Sequence, residues 1–127
     1  MSSKFDTIKG LLIDPEARTI TEVEVNRNLH DDCCLDHMRE LIGCRYVEVG
    51  RDGLHHLPGD PADDIWFDDE ARLFTEKLHT WQLPLWIPII GRGLILGYDD
   101  RDGSSISHTL SSEAVDVLRD TIVWSER

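Results

Sequence analysis

The segment His30-Asp31-Asp32-Cys33-Cys34-Leu35-Asp36-His37 gathers imidazole, thiol and carboxyl groups into one short run. On a helix, His30 with Cys34, or Cys33 with His37, would share a face at a spacing suited to a zinc-ligand pair. A structural zinc site needs a second pair to close its tetrahedron. The nearest further ligands, Cys44, His55 and His56, have no matching spacing. The run therefore reads as the start of a helix capped by Asp31 or Asp32 and carrying buried thiols, and no metal or other cofactor is implied.

Carboxylates form two further groups, Asp60, Asp63, Asp64, Asp68, Asp69, Glu70 and Asp99, Asp100, Asp102. Clustered acids suit hard cations. Fitting Asp100, Asp102 and Gly103 to a calcium loop puts Tyr98 and Thr109 at the two ends, where acids are required, so this run reads as a solvated hairpin turn. Gly91-Arg92-Gly93 opens a dinucleotide fingerprint, but Leu96 stands in place of its third glycine and a strand-like run follows. The chain has no nucleophile-elbow serine, P-loop, His-Glu-x-x-His or Cys-x-x-Cys, and His55, His56 and His79 lie in polar segments. No catalytic residue is assigned.

From His79 to Ile90, Trp81, Leu83, Leu85, Trp86 and Ile87 surround Pro84 and Pro88 with no clear period. Aromatic anchors on a stiff, extended segment suit a protein-binding surface, and the same tryptophans can equally cap the core of a small domain. With the neighbouring acids, the candidate partner-binding set is Asp63, Asp64, Trp66, Asp68, Asp69, Glu70, Trp81 and Trp86.

These residues need elements to hold them. Ile8 to Ile13 and Thr19 to Val25, on either side of Asp14-Pro15-Glu16, predict a β-hairpin. Leu35, Met38, Leu41 and Ile42 make the inward stripe of a short helix stopped by Gly43, and Cys44 to Val49 reads as a strand closed by Asp52-Gly53. Leu54 to Asp64, rich in turn formers, is expected to be an irregular surface loop. Ile65-Trp66-Phe67 is a short strand, and Asp68-Asp69-Glu70 is expected either to turn a hairpin into Arg72-Leu73-Phe74, the favoured reading, or to start a helix running towards Trp81. Gly93 to Tyr98 is a strand leading through a turn to a short strand near Ile106. Ser111 caps a last helix with an apolar stripe of Val115, Leu118 and Ile122, widened by Ala114, Val117 and Trp124, and this helix must pack on the sheet. The fold class is α+β: a mainly antiparallel sheet of short strands packed against two α-helices.

The 127 residues suit one domain, and no linker-like stretch divides them. The 25 acidic against 13 basic residues give a formal net charge of -12, which repels phosphate backbones and anionic lipid and excludes ordinary nucleic-acid binding. A protein partner, a basic one included, fits better. The start of the chain lacks a cleavage-site pattern, and Pro84 and Pro88 interrupt the longest apolar run, so neither a signal peptide nor a membrane span is expected. Three cysteines, two of them adjacent, predict free thiols in the cytoplasm.

Four segments, Gly10-Leu-Leu-Ile-Asp-Pro15, Leu41-Ile-Gly-Cys-Arg-Tyr-Val-Glu-Val49, Ile65-Trp-Phe-Asp-Asp-Glu70 and Gly91-Arg-Gly-Leu-Ile-Leu-Gly-Tyr-Asp-Asp100, follow one another in an order that resembles a family of small bacterial, phage and plasmid proteins grouped only as a domain of unknown function. The resemblance implies a mobile-element setting and brings no catalytic residue, cofactor or substrate. Three functions follow as expectations. The leading one is a small acidic, non-catalytic binding or accessory protein. The others are a DNA-mimicking inhibitor of a basic nucleic-acid-binding protein, and a small-molecule-binding protein or enzyme.

Overall fold

The computed structural model describes residues 5–28, 34–73 and 78–126. In chain order these form β1 (Phe5–Asp14), β2 (Thr19–Asn28), α1 (Leu35–Ile42), β3 (Val47–Gly50), β4 (Asp64–Asp68), a 3-10 turn (Ala71–Leu73), β5 (His79–Gln82), β6 (Ile89–Ile90), β7 (Gly93–Tyr98), β8 (Ser105–Ile106), α2 (Ser112–Thr121) and β9 (Val123–Glu126). The fold is α+β and dominated by antiparallel sheet.

The larger sheet runs β2-β1-β7-β4-β3, with β8 pairing the far end of β7; the smaller runs β6-β5-β9. Side-chain alternation sends the strand residues of the larger sheet to two separate cores. Ile8, Val25, Leu94 and Leu96 face α1 and meet Cys34, Met38 and Ile42. Leu11, Ile13, Ile20, Ile65, Phe67 and Ile95 face the other way and pack with Trp81, Leu83 and Ile89 around the smaller sheet and with Ala114 and Leu118 of α2. Gly10 permits the first packing, since a Cβ there would stand 2.9 Å from Leu94 Cδ1.

The helix ends follow local chemistry. Ser111 Oγ accepts from Ala114 N–H at 3.1 Å and starts α2, and Gly43 at φ 79° closes α1, where a side chain would strain the left-handed backbone. Asp31 and Asp32, the expected cap of α1, lie outside the described residues, and the cap position falls on Cys34.

Three expectations need correction. Leu54 to Asp64 is irregular as expected up to the start of β4, but it does not lie wholly at the surface: successive turns (Leu57 N–H to Leu54 O and Asp60 N–H to Leu57 O, both 3.0 Å) bury Leu54 and Leu57 in the second core. Turn-forming residues specify backbone shape, not where the leucines between them point. Asp68-Asp69-Glu70 does not make a hairpin either, because β4 is already flanked by β3 and β7, and Asp68 Oδ1 accepts from Glu70 N–H at 2.8 Å to bend the chain into the 3-10 turn; Phe74 lies outside the described residues. Trp124 does not widen the stripe of α2. The chain becomes extended at Ile122, and Trp124 pairs with Trp81 across β9 and β5.

Candidate functional site

Antiparallel pairing of β3 and β4 sets Glu48 opposite Phe67, so Glu48, Phe67 and, one pleat further on, Asp69 share a face of the sheet edge. Asp69 N–H donates to Tyr46 O at 3.0 Å and carries the ladder past β4, which holds Asp69 beside Glu48. Beyond it, Arg45 clasps Glu70 with both guanidinium arms, at 3.1 and 3.0 Å.

A second wall comes from the proline-rich segment. Trp86 N–H donates to Leu83 O at 3.2 Å around a tight turn with Leu85 at φ 58°, and Gln82 Nε2 donates to Trp86 O at 2.7 Å. The Trp86 ring meets Phe67 edge-on at 6.3 Å, over Gly50 and Gly53, where a Cβ would come within 2.5 and 3.0 Å of the indole. Trp86 thus moors the segment to the sheet, and Ile87-Pro88-Ile89-Ile90 runs back along the edge of the smaller sheet. Between the walls lies a cleft of about 480 Å³ lined by Phe67, Ala71, Ile87, Pro88 and Ile89, with Glu48, Asp68, Asp69 and Arg72 among its polar groups. Ile87 is exposed within it, and Leu85, at the tip of the turn two residues earlier, is fully exposed.

The electrostatics of the cleft are acidic. Partial burial, and then the Asp69 carboxyl lying against it, raise the Glu48 carboxyl above its ordinary range; the Arg72 guanidinium pulls it the other way.

The structure divides the sequence-derived partner-binding set. Asp63, Asp64, Asp68 and Trp81 are buried, and of these only Asp68 lines the cleft. Asp63 accepts from Thr109 N–H at 2.7 Å and from the Thr109 hydroxyl. Asp64 accepts from Arg51 Nε at 3.2 Å, and burial raises its carboxyl despite that guanidinium, which stacks 4.8 Å from the Tyr98 ring centroid. Trp81 donates from Nε1 to Gly91 O at 2.9 Å. Trp66 is half-buried on the α1 face, away from the cleft. Trp86 is half-buried as the mooring, Glu70 is half-buried in its pair with Arg45 outside the lining, and Asp69 is exposed within the cleft. Asp64 and Asp68, four residues apart on β4, fall on one face of its pleat and are both buried, which linear charge counting overlooks.

Glu48, Ile87 and Ile89 went unassigned by sequence reasoning. The signal for Glu48 was its place between Val47 and Val49, which turns it to the opposite face from both valines.

Elsewhere, His55 Nδ1 lies 2.5 Å from Asp60 and Nε2 lies 2.9 Å from Asp52. The Asp52 hydrogen bond, followed by that of Asp60, raises the imidazole's affinity for a proton. Of the sequence's thiol and imidazole run, His30 and Cys33 lie outside the described residues, Cys34 is buried, and His37 Nδ1 accepts from Asn26 N–H at 2.8 Å. Among the described residues no three potential metal ligands converge, and no helix is long and apolar enough to cross a membrane.

Compared with protein-family models, curated proteins and solved structures, the chain matches none.

Proposed function

We propose that the protein is a non-catalytic binding or accessory protein, in the mobile-element setting its sequence resembles, and that it engages a protein partner through the cleft between the Glu48–Asp69 edge and Ile87–Ile90. The observation that carries this is the cleft itself: a trough lined by Phe67, Ala71, Ile89 and the exposed Ile87, with acids on one side. Apolar side chains gathered at a trough gain most by being covered by another protein. The overall charge of -12 favours a basic partner. The phosphate-mimic alternative is weakened, because Asp63, Asp64 and Asp68 of its main acidic run are buried.

The test is affinity capture from host lysate with wild type, Ile87→Asp in the cleft, and Val123→Asp on β9, an exposed position outside it. Ile87→Asp should abolish retention of the partner while Val123→Asp leaves it intact. Equal retention by all three refutes the cleft as the docking surface.

A further inference from the structure

Two carboxyls lying side by side next to an apolar wall repel when both are ionised. Glu48 and Asp69 are in this position, with Asp68 and Arg72 as the other charged groups lining the cleft. Asp68 is turned back on its own loop, accepting from Glu70 N–H, and Arg45 is engaged with Glu70 outside the lining. Arg72 is the one basic side chain among the described lining residues, so the polar end of the cleft keeps an excess of acid. A cation between the pair replaces repulsion with attraction. The adjoining Phe67, Ile87 and Ile89 offer nothing to a bare metal ion, but they cover the aliphatic part of a side chain well.

We infer that the cleft takes an extended segment of a protein partner in which a lysine or arginine sits between Glu48 and Asp69 and a neighbouring aliphatic side chain lies against Phe67, Ile87 and Ile89. This rests on the cleft as the docking surface and narrows it to one ligand chemistry. Arg72 competes with the incoming cation for the same carboxyls, so its removal strengthens binding.

The experiment screens a bead-bound library of random, end-blocked hexapeptides with the labelled full chain as wild type, Glu48→Gln/Asp69→Asn, Arg72→Gln and Ile87→Asp. Wild type should select peptides with a basic residue beside aliphatic ones. The double variant should bind the best of them several-fold more weakly, about the cost of one exposed ion pair, and lose the preference for a basic residue. Arg72→Gln should bind them several-fold more tightly. General attraction of basic peptides to an acidic protein cannot imitate this pattern, because the double variant keeps 23 of the 25 acids (25 less 2). Selection of aliphatic peptides with no basic preference, lost in Ile87→Asp, would overturn this inference and leave the docking surface standing. Absence of selection, or selection that Ile87→Asp does not change, would overturn both.

Discussion

Trp81 and Gly93 form a lock whose strength can be worked out from the coordinates. The Trp81 side chain is fully buried, its Nε1 donates to Gly91 O at 2.9 Å, and a Cβ built on Gly93 would fall 2.5 Å from Trp81 Cζ2. Gly93→Ala therefore forces the indole to move, an overpacking cost of about 1–3 kcal/mol. Trp81→Phe removes the clashing part of the ring together with a hydrogen bond worth about 1 kcal/mol and some packing, for a total of about 2–3 kcal/mol. In the Phe background the added methyl enters vacated space, and glycine's extra chain entropy in the unfolded state no longer counts against the strand. Gly93→Ala should then be close to neutral, leaving a coupling of about 1–2 kcal/mol between the two sites. Urea unfolding of the four proteins, followed by far-ultraviolet circular dichroism, measures this directly. Gly93→Ala should lower the midpoint by roughly 1 M in the wild-type background and hardly at all beside Trp81→Phe. Equal costs in both backgrounds would show that the indole does not lie over Gly93 and would undo the description of Trp81 as a core residue.

Leu54→Ala should cost about 2–5 kcal/mol in the same unfolding assay, because Leu54 is fully buried; a cost below about 0.5 kcal/mol would return residues 54–64 to the surface. His55 gives a pH dependence with a definite sign. Its affinity for a proton is raised in the folded state by Asp52 and Asp60, so its contribution to stability is complete below its ordinary value of 6.5 and is lost as pH rises through the folded-state value. Amide exchange at Leu57 and Asp60, corrected for intrinsic rates, should quicken across that window in wild type and stay flat in His55→Gln; a flat wild-type profile would count against the clamp.

Much of the local architecture was legible because its causes lie within a few residues. The alternation on either side of Asp14-Pro15 is enough to define the β1–β2 hairpin, the Ser111 hydroxyl is enough to start α2, and Gly43 is enough to end α1, since each satisfies or frees backbone groups next to it. The acidic charge is likewise a property of composition. The candidate site was less legible. The proline-rich segment and the acids of residues 63–70 stand out in the sequence, with Trp66, Trp81 and Trp86 as the aromatic contacts, but of these acids only Asp68 and Asp69 line the cleft. Which of those acids face water depends on where β4 sits. Flanked by β3 and β7, it buries Asp64 and Asp68 on one side of its pleat and sends Asp69 past its end to meet Glu48. The role of the tryptophans depends on the smaller sheet closing over Gly93, Gly50 and Gly53, three glycines remote from Trp81 and Trp86 in sequence or in strand, whose missing side chains admit the indoles. Neighbours along the chain can dictate backbone shape and charge, but burial and the meeting of Glu48 with Asp69 arise from pairings between distant strands, which only the assembled sheets decide.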